Sequence, residues 1–369
     1  MNFDLTEEQG LLRDLILRFG ADRYDSVQRL AYLREPHGFS RTNWELLADT
    51  GLLAFALPEV AGGFGGSDAD IITVAEALGT FVAVEPVLAS VIMGTGIVYG
   101  AASEDQRAAL IPDMVAGKCT AALAVFEPHA RFETGALQAR ATETEGGGYA
   151  LSGSKQMVLG GPFADNIVVA ARAAEQEQAS LFLVEAKAPG LAFRNYRLAD
   201  GSMASDIDLN NVAAEIMPGG LDALHAVVVQ ARLAICAELV GLMEMMFRET
   251  LEYLKTRQQF GQPLGSFQAI QHRMADCYAK VELSRSQLYR AAGQGSDPVA
   301  RDIAIRGAKA YIAQSAMHVG EEAIQLHGGI GTTEELLVGQ AFKRVFTLAA
   351  LLGDADADLR NYVAQTRAA

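Results

Sequence analysis

The sequence predicts a mainly α-helical protein with a central β domain. Apolar residues recur at helical spacing in about the first 115 residues and again from about residue 217 to the end. Between these zones, short segments rich in Val, Ala, Leu and aromatic residues are separated by turn signals such as Gly146-Gly147-Gly148. We therefore expect an N-terminal helical domain at residues 1–116, a middle β domain at 117–217 and a C-terminal helical domain at 218–369.

Capping boxes indicate where three helices of the N-terminal zone begin. In such a box, a Ser or Thr side chain accepts from the backbone N–H three residues later, and a Glu or Gln at that position reaches back. The three pairs are Thr6 with Gln9, Thr42 with Glu45, and Ser103 with Gln106. Gly117 can end the third helix. The loop at residues 58–67 contains four glycines, which permit backbone angles that other residues avoid.

The spacing of apolar residues distinguishes the middle zone from the C-terminal zone. The middle zone predicts an antiparallel, barrel-like sheet, with strand-like segments at Thr120–Phe126, Gly148–Ser152, Asn166–Ala171 and Ser180–Val184. The C-terminal zone returns to helical spacing, and we expect a four-helix bundle there. One apolar helix face in it comprises Phe267, Ile270, Met274, Cys277, Tyr278, Val281 and Leu288.

The composition excludes several classes of function. A formal net charge of −15 gives no basic surface for nucleic acid or for an anionic membrane. The three cysteines and six histidines are scattered, which favours reduced thiols in the cytoplasm and offers no metal site. Polar and charged residues interrupt the apolar stretch at residues 222–247, so we expect a buried helix there and no membrane span. The N-terminus does not have the pattern of a signal peptide.

Two motifs in the C-terminal zone are the strongest indication of function. The first is Arg257-Gln258-Gln259-Phe260-Gly261, followed by Phe267-Gln268 and Gln271. The second is Gln325-Leu326-His327-Gly328-Gly329-Ile330-Gly331. The glycines of the second motif do not follow a predicted strand, as a Rossmann or P-loop motif requires, so neither of those nucleotide sites is predicted.

In their order and spacing, these motifs resemble Arg-x-x-Phe-Gly…Phe-Gln-x-x-Gln and Gln-x-x-Gly-Gly-x-Gly of the acyl-CoA dehydrogenase family. Phe126-Glu127-Pro128 is similar to the family's Thr-Glu-Pro, and Gly153-Ser154-Lys155 to its Gly-x-Lys. The resemblance covers essentially the whole chain. It implies the acyl-CoA dehydrogenase fold, FAD as cofactor, α,β-dehydrogenation of an acyl-CoA substrate, and an electron-transferring flavoprotein as the acceptor.

The resemblance also implies which residues hold the cofactor. Arg257 would offer a planar fork of donors to the pyrophosphate, and Phe260 would cover the adenine or the ribose. Gln268 and Gln325 would hydrogen-bond polar edges of the nucleotide. The backbone amides of Gly328 and Gly329 would approach a phosphate without side chains in the way. In the family, these groups reach across a subunit interface to the ADP half of a neighbour's FAD.

The family's catalytic base has no counterpart at its usual positions in this chain. The base is usually a Glu in Tyr-Glu-Gly-Thr, and anchoring that stretch at Arg344 and Arg360 places Gly353 there. Some relatives place the base before an Arg on the first helix of the last domain, where this chain has Ala231-Arg232. Neither glycine nor alanine abstracts a proton, so we assign no catalytic residue.

The side of the site that faces the flavin ring is also altered. Phe126, Phe132, Met157 and Leu159 stand where the family has Thr, Ser, Trp and Thr. Each polar group of a flavin edge that loses its partner in such an apolar slot costs about 1–3 kcal/mol. We therefore expect this chain's own ring slot to be closed.

The chain keeps the residues that would bind the nucleotide but lacks the flavin-ring slot and the base. This combination favours an oligomer built from two different kinds of subunit. We expect an α2β2 assembly, in which this chain gives Arg257, Phe260, Gln268 and Gln325 to FAD seated in a second acyl-CoA dehydrogenase subunit. The chain resembles the small subunit of pimeloyl-CoA-type dehydrogenases and of bacterial steroid side-chain dehydrogenases. The ending of those subunits is similar to Leu352-Gly353-Asp354-Ala355-Asp356.

Other functions of the same fold stay open at this point. One is an active homotetramer that uses Asp354 or Asp356 as an unusual base. Another is a non-catalytic scaffold that holds a partner or a CoA ester, although a scaffold has no need of Arg257, Gln268 and Gln325. An acyl-CoA oxidase or a flavin monooxygenase of this fold would still need the ring slot.

Overall fold

The computed structural model describes residues 5–130, 134–173, 179–295 and 297–368. The chain forms two compact units. The first unit comprises Met1–Tyr32, Ser67–Val84 and Arg232–Ala369, and the second comprises Leu33–Gly66 and Glu85–Ala231. The three-domain division of the sequence at residues 116 and 217 stays a prediction.

Eleven α-helices lie in the described part of the chain. They are α1 (Glu7–Arg23), α2 (Ser26–Arg34), α3 (Arg41–Asp49), α4 (Asp68–Gly79), α5 (Gly96–Ala101), α6 (Glu104–Val115), α7 (Gly220–Thr256), α8 (Gln268–Ala292), α9 (Pro298–His327), α10 (Leu337–Ala350) and α11 (Ala355–Ala368). A π-helical segment, Val87–Thr95, directly precedes α5.

Two of the three predicted capping boxes are confirmed. The Thr6 hydroxyl accepts from Gln9 N at 3.2 Å, and the Gln9 side chain accepts from Thr6 N at 3.1 Å. The same reciprocal pair opens α6 at Ser103 and Gln106. The prediction at Thr42 is wrong, because Ser40 caps α3 two residues earlier and leaves Thr42 inside the helix. Both residue types cap helices well, so spacing alone did not decide between them.

The central sheet closes on itself. Its strands are β1 (Ala121–Ala124), β2 (Arg140–Glu143), β3 (Tyr149–Leu159), β4 (Asn166–Ala173), β5 (Ala179–Glu185), β6 (Leu191–Arg197) and β7 (Met203–Met217). Pairing runs from β4 through β2, β3, β7 and β5 back to β4, which makes a barrel. A short hairpin of β8 (Gln258–Gln259) and β9 (Gln262–Pro263) lies apart from it.

The barrel is confirmed, but its strands are not all antiparallel. β1 and β2 both run parallel to β4, and the other pairs are antiparallel. The sequence predicted an antiparallel sheet, whereas β1 and β2 are 15 residues apart in the chain, a separation that does not require them to pair as a hairpin. The barrel core is built of small and branched residues, among them Ala122, Leu151, Val158, Ile167, Val169, Phe182, Ile207 and Val212.

The described part of the C-terminal zone has five helices where four were expected. Leu351–Asp354 separates α10, which ends at Ala350, from α11, which begins at Ala355. The predicted apolar face of α8 is confirmed at Met274, Cys277, Val281 and Leu288, which are buried. Helix α7 is long and apolar enough to cross a membrane, yet 89% of its most apolar window is buried inside the protein, as in a core helix.

Candidate cofactor site

The first motif forms the tip of a hairpin that follows α7. Phe260 and Gly261 occupy its two turn positions with φ of +55° and +79°, the left-handed pair that a tight hairpin turn requires. Glycine adopts this conformation without cost, whereas a phenylalanine is strained in it. The Phe260 ring is 90% exposed. The hairpin therefore holds a strained residue whose large apolar ring is presented to solvent.

Arg257 lies at the base of this hairpin. Its backbone N–H donates to Tyr253 O at 2.8 Å, and its carbonyl accepts from Leu264 N at 2.8 Å. The side chain is exposed, and its guanidinium has no hydrogen-bond or ion-pair partner among the described residues. A fixed backbone with an unoccupied guanidinium suits the binding of an external anion.

The two glutamines of the first motif differ in their surroundings. Gln268 is the exposed first residue of α8, and the helix N-terminus there has no side-chain cap. Uncapped N–H groups at a helix start favour a negatively charged ligand. Gln271, in contrast, donates from its side chain to Gly265 O at 2.9 Å. Gln268 is therefore available to a ligand, while Gln271 stabilises the turn before the helix.

The glycines of the second motif differ in why the position requires glycine. Gly328 ends α9 with φ of +67° and ψ of −146°, a conformation that glycine adopts far more readily than other residues. A Cβ at Gly331 would lie 2.7 Å from Ile324 O, so this glycine is required by packing. A Cβ at Gly329 would meet nothing within 4 Å, and its φ is not in the left-handed region. Neither packing nor backbone conformation within the described residues requires glycine at position 329. A glycine at such a position leaves the backbone open to a ligand.

The structure brings both motifs around one small hydrophobic cluster in the first unit. Leu254, Met274 and Leu326 form its buried centre. Phe247, Leu251, Leu264 and Ile270 pack against it. Leu254 lies three residues before Arg257, and Leu326 follows the exposed Gln325. The segments predicted to bind the nucleotide are thus held by a shared core.

The position predicted for the usual family base, Gly353, is buried. Its φ is +124°, and a Cβ there would lie 3.0 Å from Asp358 Oδ1. Leu352 before it is also left-handed, with φ of +56°. Ala231, the alternative base position, has no exposed surface. Neither position offers a proton acceptor.

Buried charges hold this turn in place. The Leu352 carbonyl accepts from Arg232 Nε at 3.2 Å, and the Gly353 carbonyl accepts from Lys309 Nζ. Lys309 also pairs with Asp358 at 3.0 Å. Arg306 and Asp302 extend the network, which we call the turn network: Arg232, Asp302, Arg306, Lys309 and Asp358. The sequence analysis missed it, since its members are up to about 125 residues apart.

Asp354 and Asp356, the carboxylates considered as substitute bases, both lie at the start of α11. Asp354 Oδ1 accepts from Ala357 N at 2.7 Å, so it caps the start of α11. Asp356 is exposed on the same helix. Every buried carboxylate in the described ranges has a partner in its own unit: Glu85 with Asn43, Glu127 with Lys155, Asp200 with Ser202, Glu238 with Arg344, Asp302 with Arg232, and Asp358 with Lys309.

The two middle-domain motifs are joined by a buried ion pair. Lys155 Nζ lies 2.6 Å from Glu127 Oε1 and also donates to Val125 O at 3.1 Å. Burial alone would raise the pKa of Glu127, but hydrogen bonds from Lys155 and from the N–H groups of Gln138 and Ala139 outweigh it and hold that pKa below its usual range. Glu127 is therefore an ionised structural anchor. In the sequence, the only indication of this ion pair is that a Glu and a Lys lie within apolar segments.

Two of the residues predicted to face the flavin ring, Phe126 and Met157, lie close together in the second unit. Phe126 is buried, and its carbonyl accepts from Gln156 N at 2.9 Å, which places it beside Met157. Met157 has φ of +53°, and its N–H donates to Asp206 Oδ1 at 3.1 Å. Phe132 lies outside the described residues. The Met157 N–H is therefore already used by the protein.

Asp206 is held by further groups on the same sheet. Tyr196 donates its hydroxyl to Asp206 Oδ1 at 2.9 Å, and Arg194 pairs with the other carboxylate oxygen. Burial, together with this carboxylate, raises the pKa of Tyr196 to about 12. Hydrogen bonds from Met157 N and Tyr196 hold the pKa of Asp206 below its usual range, although burial opposes them. The strained backbone at Met157 is thus fixed by a charged anchor.

Comparison with known proteins identifies the family. Models of acyl-CoA dehydrogenase domains match residues 6–118 (N-terminal domain), 122–212 (middle domain) and 219–366 (C-terminal domain). The chain belongs to the acyl-CoA dehydrogenase family. It therefore has that family's fold, with an N-terminal helical domain, a central β-barrel and a C-terminal helical domain, and FAD is the cofactor.

Several acyl-CoA dehydrogenase relatives share the full length. The chain is 30% identical to acyl-CoA dehydrogenase FadE27 of Mycobacterium tuberculosis over 332 residues, 87% of each chain. Its structure is similar to the ChsE4-ChsE5 complex from Mycobacterium tuberculosis, with a TM-score of 0.91, 28% identity and complete coverage of both chains. It is also similar to a variant of the Tcur3481-Tcur3483 steroid ACAD, with a TM-score of 0.88 and 30% identity, covering 98% of this chain and 99% of that one.

Proposed function

We propose that this chain is the base-lacking subunit of an FAD-dependent acyl-CoA dehydrogenase built from two kinds of chain in an α2β2 assembly. In this assembly it gives Arg257, Phe260, Gln268, Gln325 and the Gly328-Gly329 amides to the ADP half of FAD seated in its partner. The observation that carries the proposal is the contrast between this exposed set of donors and the closed turn at Gly353.

The reaction of the family defines what a complete site needs. A carboxylate removes the α-proton of the thioester, and donors stabilise the charge that develops on the thioester oxygen. FAD, when bound, supplies a ring that accepts the hydride from the β-carbon. In this chain Gly353 and Ala231 have no titratable group, and the buried carboxylates of the described residues are engaged in their own pairs. The partner chain would therefore supply the base and the ring slot.

The donors that remain are chemically suited to a dinucleotide tail. The unpaired Arg257 guanidinium matches a pyrophosphate in geometry and charge. The start of α8 at Gln268 and the open backbone at Gly329 add N–H donors that a negatively charged group can reach. The 90%-exposed Phe260 ring provides an apolar face for a base or ribose.

Relatives support the mixed assembly and suggest the kind of acyl group. The ChsE4-ChsE5 complex and the Tcur3481-Tcur3483 steroid ACAD each pair two differently named chains. By analogy with the latter we propose a bulky acyl-CoA, such as a steroid CoA ester, as the substrate of the assembly; a dicarboxylic acyl-CoA is the other candidate. We further propose an electron-transferring flavoprotein as the acceptor and the cytoplasm as the compartment.

Co-expression with the partner dehydrogenase tests the proposal. Alone, the chain should purify colourless or with substoichiometric FAD, and with its partner it should give a yellow complex with flavin absorbance. Arg257→Ala should bleach that complex, because the pyrophosphate loses a bidentate donor. Stoichiometric FAD and acyl-CoA turnover by the chain alone would instead establish an active homotetramer. A yellow complex that is unaffected by Arg257→Ala would favour the scaffold.

A further inference from the structure

Two aromatic rings connect the segments that carry the nucleotide donors. Tyr253 lies in the last turn of α7, and His327 is the last residue of α9. Their ring centroids are 4.4 Å apart with an interplanar angle of 26°, which is a stacked arrangement. His327 is buried, and its Nδ1 lies 2.8 Å from Ala323 O. Because a carbonyl only accepts, Nδ1 carries the proton in this contact, and the contact fixes the orientation of the imidazole.

Each ring is attached directly to one of the two motifs. The backbone carbonyl of Tyr253 accepts from Arg257 N at 2.8 Å, so this hydrogen bond fixes the base of the hairpin relative to Tyr253. Gly328 follows His327 in the chain, and its N–H closes α9 on Gln325 O and Ile324 O. A shift of one ring relative to the other would therefore change the spacing between Arg257 and the glycine amides.

The stack acts together with the cluster beneath the motifs, whose buried centre is Leu254, Met274 and Leu326. Stacked rings restrict both the distance and the tilt between the two segments, in addition to the packing of these side chains. Donors that converge on one ligand must be held to within about 0.5 Å for full effect. The Tyr253–His327 stack provides such a constraint.

We propose that Tyr253 and His327 are positioning residues, whose stacked rings set the spacing between Arg257 and the Gly328-Gly329 amides and so determine how tightly the assembly holds the ADP half of FAD. This inference rests on the proposed function, since it concerns the same nucleotide site. It assigns both residues an effect on cofactor affinity without a contact to the cofactor.

The test uses the co-expressed complex, stripped of flavin and titrated with FAD while flavin fluorescence is followed. Tyr253→Phe keeps the ring and should leave the FAD Kd unchanged, because the Tyr253 hydroxyl is 3.5 Å from its nearest acceptor, His327 O. Tyr253→Leu and the volume-filling Tyr253→Met remove the ring and should raise the FAD Kd about threefold to tenfold. Tyr311→Leu, the same truncation about four turns before His327 on α9, is the matched control and should leave the Kd unchanged.

A double-mutant cycle separates positioning from stability. Arg257→Ala should weaken FAD binding less in the Tyr253→Leu background than in the wild-type background, because a misplaced guanidinium has less to lose. If Tyr253→Leu and Tyr253→Met only lower the Tm of the flavin-free complex, with the Kd and the Arg257→Ala effect unchanged, the positioning proposal is wrong. If Arg257→Ala has no effect on FAD in the wild-type complex, the proposed function itself fails.

Discussion

Lys309 and Asp358 form an ion pair of 3.0 Å in which neither side chain has exposed surface. The same ammonium donates to the Gly353 carbonyl, so the pair connects α9 and α11 to the turn between α10 and α11. Charges buried to this extent persist only when they are paired and hydrogen-bonded, which makes the pair sensitive to the loss of either partner.

Asp358→Asn should destabilise the chain strongly. It leaves the Lys309 ammonium buried without its anion, a change that typically costs about 3–5 kcal/mol. Thermal unfolding of the purified chain measures the effect as a lower Tm. The exposed pair of Lys255 and Glu252 provides the control, because Glu252→Gln should change stability by less than about 1 kcal/mol. Similar Tm values for the two variants would show that the buried pair does not stabilise the fold.

Gly353→Glu should not create a catalytic base. The new side chain would require φ of +124° and would begin 3.0 Å from Asp358 Oδ1, so strain and charge repulsion both oppose it. In the co-expressed complex we expect a lower Tm and no increase in acyl-CoA turnover per FAD. Gly10→Glu, in an α1 position with open space around it, should leave turnover unchanged and should not lower the Tm. An increase in turnover with Gly353→Glu would contradict the closed turn.

Phe260→Asn should separate stability from cofactor binding. Asparagine tolerates the left-handed conformation at φ of +55°, so the change should relieve about 1 kcal/mol of strain and raise the Tm by about 1–2 °C. Loss of the exposed ring should weaken FAD binding to the complex about tenfold. Phe346→Asn, at another exposed phenylalanine but within helix α10, should neither raise the Tm nor weaken FAD binding. A Phe260→Asn complex with unchanged FAD affinity would remove Phe260 from the site.

Gly329→Ala and Gly331→Ala should have opposite consequences. At 329 the added methyl group meets nothing within 4 Å, so the Tm of the flavin-free complex should not change while its FAD affinity falls. At 331 the methyl group would lie 2.7 Å from Ile324 O, and accommodating it should cost about 1–3 kcal/mol. Calorimetry and flavin titration on both variants measure the two effects. Unchanged FAD affinity in Gly329→Ala would show that no ligand approaches this backbone.

Acid should weaken the fold in part through Glu127. The pKa of this carboxyl in the folded chain lies below its ordinary value of 4.5, so the ionised form stabilises the fold above pH 4.5. That contribution is lost as the pH falls from 4.5 through the lowered pKa. The Tm difference between wild type and Glu127→Gln should therefore be large near neutral pH and shrink in acid. Glu145→Gln, in the exposed turn after β2, should show a small difference at every pH.

Local features of the fold were predictable from sequence, and contacts between distant residues were not. The capping boxes at Thr6 and Ser103 involve residues three positions apart, so the sequence contains the whole interaction. The parallel pairing of β1 with β4 joins residues about 45 positions apart, which no local pattern encodes. The turn network likewise joins α7, α9 and the turn before α11, and each of its charges taken alone is typical of a solvated surface residue.

In the candidate site too, motif residues were predictable from sequence and contacts between distant residues were not. Arg257, Gln268, Gln325, Gly328 and Gly329 were found as motif residues, and the structure adds that they are exposed and flank one hydrophobic cluster. That Gly331 and Gln271 serve packing could not be read from the motif, because it depends on the positions of Ile324 O and Gly265 O. The function of Glu127 and Lys155 as an ion pair was hidden for the same reason, since 28 residues separate them.

The geometry around Gly353 has a consequence for how this lineage can evolve. Reversion to an acidic side chain there would have to begin with a residue that clashes with Asp358, and prior removal of Asp358 would strand the Lys309 ammonium. Each single step passes through a less stable protein, so selection for folding alone opposes an acidic side chain at this position. In the proposed two-chain assembly, the cost of these intermediates keeps the base in the partner chain and requires no continuing advantage of the pair.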